Sequence, residues 1–316
     1  MMKKSLKYFS FLLALTLLLT GCKYGKDAKN DFTKALDKNN ELKSLKEKVN
    51  ITASFNSEGK KVDIELSGDL DAYKESADES SVHGKLKVGA MGTSYDTELY
   101  MNSNKEGYGL YLSLLGQWMK LEQKYSADEL KQLEQYKEMF KGMKGIDYTK
   151  VLKSVKTTKS DKKGYTKLDV VIGKDKLNDE IKGNLDKIKD ELLNNLKKYN
   201  TDSDYKEIEK EYNDSFKKLE KGIFSKDIKF NAYLKDGYVS IVKIDCATIV
   251  NSLLDGIKDI DGADELVKDI KKLDLKLDIT VEMSDFDKVE KITVPEAAKK
   301  GTDMSEYLNF ANKLDF

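Results

Sequence analysis

Chemistry has few places to start in this chain. Two side chains carry a thiol, Cys22 and Cys246, and one carries an imidazole, His83. A thiolate attacks acyl or alkyl carbon, and does so best beside a basic partner that lowers its pKa. Cys246 lies in Ile244-Asp245-Cys246-Ala247-Thr248, the apolar setting of a buried, inert thiol. His83 lies in Ser80-Ser81-Val82-His83-Gly84, a polar turn leading into a strand, and nothing in the sequence couples it to Cys246. There is no Gly-x-Ser-x-Gly elbow, no His-Glu-x-x-His pair, no Walker loop and no Cys or His cluster. The run Asp255-Gly256-x-x-Asp259-x-Asp261-Gly262 has the composition of a calcium loop but lacks the ligand spacing and closing Glu of an EF-hand. The expectation is a non-enzyme with no catalytic residue, no metal and no cofactor.

Cys22 sits in a different context. Residues 1–7 hold Lys3, Lys4 and Lys7 and no acid, and residues 8–19 are apolar apart from Ser10 and Thr16. A basic segment followed by an apolar run is the layout of a secretory signal. The run is too short to span a bilayer as a helix, which takes roughly 20 apolar residues. It ends in Leu19-Thr20-Gly21-Cys22, which resembles a bacterial lipobox. On that resemblance Leu19, Thr20 and Gly21 are the signal peptidase recognition residues. The Cys22 thiol then takes the diacylglycerol, and palmitate-type chains anchor the protein in the membrane. Two acyl chains hold far better than one, because each buried CH₂ contributes about 0.8 kcal/mol. The expected organisation is a signal peptide over 1–21, a lipidated Cys22 with a tether over 22–30, and a single domain over 31–316. The expected place is the extracytoplasmic face of the cell membrane.

Loss of Lys3, Lys4 and Lys7 with the signal takes the formal net charge from 0 to −3. Lys is mixed evenly with Asp and Glu, so no one-sign stripe offers itself to nucleic acid. Every basic residue is Lys, and Pro occurs once. This composition fits an AT-rich genome of a single-membrane Firmicute. It also rules out the bidentate Arg clamps used for phosphate and carboxylate. With Cys22 lipidated, Cys246 is left alone and no intramolecular disulfide can form.

Element signals alternate along the chain. Phe32, Ala35 and Leu36 step by three and one from an Asp31 cap, and Leu42 and Leu45 extend the same stripe. From Ile51 the period becomes two, and strands are expected around 51–55, 62–70, 82–88, 95–101, 108–115 and 117–121. Their one-sided alternation implies an antiparallel sheet wet on one face. Ser126 begins a capping-box pattern ahead of a helix over 126–140, and 148–155 reads as a short helix. A strand follows around 165–172. Leu177, Ile181, Leu185, Ile188, Leu192, Leu196 and Tyr199 make one helical stripe. Tyr205, Ile208, Tyr212, Phe216, Leu219 and Ile223 make a second. Joined by the polar turn 200–203, with Ser203 as a cap, they predict a long αα-hairpin over about 176–222. Later strands are expected at 228–234 and 238–244 about an Asp236-Gly237 turn, then at 273–283 and 286–294. Helices are expected around 249–257, 265–270 and 304–314.

Three short segments resemble those of the LolA/LppX-like half-barrel lipoproteins, including small Firmicute surface lipoproteins of that shape. They are Gly116-Gln117-Trp118-Met119-Lys120-Leu121, the Asp236-Gly237 hairpin, and Ile292-Thr293-Val294-Pro295-Glu296-Ala297-Ala298. The resemblance implies an α+β fold, a curled antiparallel β-sheet (half-barrel) packed on helices, with an apolar cavity that takes lipid or another hydrophobic ligand. The long hairpin is a departure from that pattern. No binding residue is carried over, and Trp118 is left either exposed or lining the cavity. The alternative expectation is a non-catalytic cell-envelope interaction lipoprotein with a filled core and no ligand, its protein partner unspecified.

The N-terminal reading has a direct consequence. Cys22→Ala is expected to abolish incorporation of an alkyne-labelled fatty acid, whereas Cys246→Ala keeps it at the wild-type level. Label retained at Cys22→Ala would refute the lipid-attachment assignment.

Overall fold

The computed structural model describes residues 28–57, 60–76, 78–90, 92–126, 148–199, 202–219, 222–258 and 263–304. Leu19, Thr20, Gly21 and Cys22 lie outside the described residues. So do Asp259, Asp261 and Gly262, the helix expected after Ser126, and the final helix beyond Met304.

In chain order the elements are helix α1 (Ala28–Asn40) and strands β1 (Ser44–Ser57), β2 (Lys60–Lys74), β3 (Ser80–Ala90), β4 (Thr93–Ser103), β5 (Gly107–Leu114) and β6 (Gln117–Lys124). Helix α2 (Tyr148–Val151) and strands β7 (Leu152–Thr158) and β8 (Thr166–Ile172) come next, then helices α3 (Lys174–Tyr199) and α4 (Asp202–Leu219). Strands β9 (Ile228–Lys235) and β10 (Tyr238–Asp245), helices α5 (Cys246–Ile257) and α6 (Ala263–Lys272), strand β11 (Lys276–Ser284), helix α7 (Glu296–Lys299) and strand β12 (Thr302–Asp303) complete the order. The chain divides into two compact units. One is Met1–Glu41 with Glu134–Val239 and Ile244–Leu273, and the other is Leu42–Leu133 with Ser240–Lys243 and Asp274–Phe316.

In the first unit the strands are ordered β10-β9-β8-β7, and β8 is antiparallel to both β7 and β9. Leu168 and Val170 of β8 pair with Ala232 and Phe230 of β9 and share one face. Helix α1 lies on it through Phe32, whose ring sits 6.1 Å from that of Phe230. Phe32, Leu168, Val170 and Ala232 are all at most 2% exposed, so this apolar face is sealed. Asn39 locks the end of the helix: its amide donates to the Val239 carbonyl at 2.9 Å and accepts from the Val239 N–H at 3.0 Å. The stripe expected to run on through Leu42 and Leu45 stops here. Asn39 and Asn40 are weak helix formers, and Leu45 already belongs to β1, where ladder pairing overrides spacing.

The αα-hairpin is present as α3 and α4, with Ser203 inside the first turn of α4 rather than before it. Asn178 of α3 fastens the return, donating to the Phe224 carbonyl and accepting from its N–H, each at 2.9 Å. The segment expected as a helix over 148–155 splits. It is helical only to Val151, because Val155 pairs with Val170 in the sheet. Asp236 and Gly237 both adopt positive φ, 53° and 77°, the geometry that hairpin turns between β9 and β10 favour.

In the second unit the order is β12-β6-β5-β4-β3-β2-β1-β11, with Ser240–Lys243 of β10 beyond β11. Every pairing from β11 to β6 is antiparallel, and only the two-residue β12 runs parallel to β6. In the strand order β12 is an end strand in this unit, as β7 is in the first. This is the α+β, open antiparallel class expected from the sequence.

No strand forms over 286–294. Asp285 and Asp287 take positive φ, 50° and 57°, and turn the chain off the ladder. Asp287 Oδ1 accepts from the Lys43 N–H at 2.7 Å and the Ser44 N–H at 3.3 Å, while its own N–H donates to the Ser44 carbonyl at 2.8 Å. The segment then crosses to β5 and β6, where Val294 and Ala298 bury Tyr111 with Tyr100 and Trp118 alongside. Trp118 is therefore half-buried under this strap, on the face opposite Met119 and Leu121. Ala298 is wholly buried, so Ala298→Leu is expected to cost about 1–3 kcal/mol through overpacking. It should also red-shift the emission of Trp118, the one indole of the chain; unchanged emission and denaturation midpoint would contradict this packing.

Candidate functional site

The register of the second unit sorts its side chains onto two unlike faces. Val49, Ile51 and Ala53 of β1 stand beside Val281, Ile279 and Leu277 of β11. Leu66 and Leu70 of β2, Leu86 and Val88 of β3, Leu99 and Met101 of β4, Leu110 and Leu112 of β5, and Met119 and Leu121 of β6 continue the same face. With strands about 4.8 Å apart and a rise of about 3.4 Å per residue, seven strands present an apolar surface nearly 30 Å across. Unlike its counterpart under α1, this face is not sealed. Ile279 and Val281 are buried, but most of the row is only half-buried, and Ile64, Val88, Tyr95 and Leu114 are 38%, 37%, 55% and 40% exposed.

One carboxyl group stands on it. Glu47 of β1 faces Leu70 on one side and Met283 on the other, between Leu45 and Val49 of its own strand. Among the described residues it makes no hydrogen bond or ion pair. Burial among apolar neighbours is the one cause acting on it, and holds its carboxyl above the ordinary 4.5. The sequence reading passed over Glu47. The signal was there: an acid at an inward position of an alternating run, where Leu45, Val49 and Ile51 set the parity.

The opposite face is polar and aromatic. His83 of β3 lies between two acids, Nε2 2.8 Å from Glu98 Oε1 and Nδ1 3.6 Å from Asp71 Oδ2, and its ring stacks on Tyr100 at 4.4 Å. Tyr100 donates to Glu98 at 3.3 Å, and burial, then the Glu98 charge, raises its phenol. Tyr111 donates to Glu122 at 2.6 Å and is pushed up to about 12, first by burial and then by that bond. These contacts tie neighbouring strands together and order the sheet face. Two open grooves of about 550 and 530 Å³ lie over this polar face. Lys61, Asp63, Glu65, Lys87 and Asp278 line the first, with Ala53, Ile64 and Ala90 at its margin.

The other residues singled out by type are accounted for structurally. Cys246 is buried, 5% exposed, in the first turn of α5, behind the N-cap Asp245, whose carboxylate accepts from the Thr248 N–H at 3.2 Å. Asp255 is held below the usual carboxylate range by Lys271 at 2.6 Å, with Lys226 at 3.6 Å, so it serves an ion-pair knot. Gly256 is required because a Cβ there would come within 2.0 Å of the Ile223 carbonyl oxygen. Among the described residues no group of His, Cys, Asp and Glu could hold a metal.

Glu47 gives a signed pH dependence. Its folded value lies above the unfolded one, so its charge destabilises the fold fully above the folded value and not at all well below 4.5. Glu47→Gln is therefore expected to be more stable than wild type at about pH 8, and the gap should shrink as pH falls to about 4. Urea denaturation across that range measures it; a gap that is constant or widens on acidification contradicts the assignment.

No family model matches the chain, and no curated protein matches it. Among solved structures it is similar to the crystal structure of LprF from Mycobacterium bovis, with 11% sequence identity and a TM-score of 0.40 over 87% of this chain and 98% of that one.

Proposed function

We propose that this protein is a lipid-anchored lipoprotein that binds a lipid or another hydrophobic ligand on the apolar face of β1 to β6 and β11. The observation that carries the reading is the contrast between two sheet faces of one composition. Leu168, Val170 and Ala232 are at most 1% exposed beneath α1, while Ile64, Val88, Tyr95 and Leu114 are each more than a third exposed. An exposed apolar surface of this extent marks a binding site more often than bare surface. The resemblance of the Gly116–Leu121 strand and of the Val294-Pro295 segment to LolA/LppX-like lipoproteins supports the same reading. The role is binding and not catalysis, because the thiol and imidazole of the described residues serve packing and stacking. The anchor on Cys22 would hold the protein at the extracytoplasmic face of the membrane, as the single membrane of a Firmicute offers.

Native mass spectrometry of the full chain released from detergent micelles tests the ligand. Wild type is expected to retain acyl lipid when lipid is offered. Val88→Glu, at a position already exposed, should lower occupancy by about tenfold or more, and Asp69→Ala on the polar face should leave it unchanged. A wild-type chain that never retains lipid would favour the ligand-free interaction role instead.

A further inference from the structure

We propose that Glu47 makes the apolar face selective for amphiphiles that carry a protonated amine next to their hydrocarbon chain. The inference rests on the ligand-binding reading above and specifies its head group. Across the register of β11, β1, β2, β3, β4, β5 and β6, Glu47 is the one carboxylate on this face. The lysines of the same parity, Lys60 and Lys74, stand at the two ends of β2. The charged neighbours of Glu47 in sequence and register, Lys46, Lys48, Asp69, Asp71 and Glu282, all point to the other face. The described chain therefore supplies Glu47 with no cation and no donor, yet surrounds it with Leu45, Val49, Leu70 and Met283. An anion fixed at one point of a wide apolar surface is complementary to a cation attached to an apolar chain. The hydrocarbon covers the face, and the ammonium gives the carboxylate charge-assisted hydrogen bonds that the described residues do not. Such bonds are roughly twice as strong as neutral ones, so an amine is preferred over an alcohol of equal length. A carboxylic acid of that length would bring a second anion to the site and is disfavoured.

The test uses the full chain in micelles, titrated with dodecylamine, dodecanol and dodecanoic acid and read by native mass spectrometry near neutral pH. The expected result is amine occupancy at about tenfold lower concentration than alcohol or acid. In Glu47→Gln that preference should collapse while dodecanol still binds, which also shows that the variant is folded. Equal binding of amine and alcohol by wild type, or a preference that survives Glu47→Gln, overturns the head-group assignment and leaves the apolar face as a ligand site. Failure of all three probes to bind overturns both readings.

Discussion

A strand that alternates apolar and polar residues commits its apolar side to one face, and that face must find a cover or remain a surface with high affinity for something apolar. The constraint is met differently in the two units. In the first, α1 brings Phe32, Ala35 and Leu36 onto a short sheet, and one amphipathic helix suffices. In the second, seven antiparallel strands present a face far wider than a helix of about 10 Å diameter can shield. The hydrophobic effect that assembles the sheet is thus left partly unsatisfied on it. Area burial contributes about 25 cal/mol per Å², so the uncovered surface is a store of binding free energy.

The polar face has the opposite economy. Its imidazole and its tyrosines are committed to shared carboxylates. Glu98 serves both His83 and Tyr100, and Glu122 serves both Tyr111 and Lys120. Such a network rigidifies a sheet because every member already has a partner. The strap from Asp287 to Asp303 completes it. Ser44, 3% exposed, is the hinge pin: its hydroxyl accepts from the Val289 N–H at 3.1 Å while Asp287 satisfies its N–H. With the strap fixed at one end by this turn and at the other by the Met304 N–H on the Lys120 carbonyl, the aromatic cluster is held by a segment whose helix, α7, is four residues long.

Much of this was legible from spacing. Period-two runs located the strands because each face of a pleat is read directly as every second residue, and Asp236-Gly237 announced its turn because few residues tolerate two successive positive φ values. The αα-hairpin was equally plain, its stripes persisting over many turns. What failed was local. Leu42 and Leu45 continue a helical spacing by coincidence, and the choice between helix and ladder was made by partners on β2 and β11 far along the chain. Residues 286–294 look like a strand, but two Asp residues in left-handed conformation redirect them, and that use of Asp carries no periodic signal. Glu47 escapes for a related reason. Leu45 continues the helical stripe, which masks the parity that Leu45, Val49 and Ile51 set around the acid.

An end strand exposes a row of N–H and C=O groups that can template pairing with another chain. By running parallel to β6 at Met119 and Lys120, Thr302 and Asp303 occupy the middle of that row with the least possible length of chain. A guest strand arriving at this margin would have to peel the strap from Trp118 before it could zip on. The short β12 is thus a stopper against edge-to-edge polymerisation, which matters most for a chain that also carries a broad apolar surface.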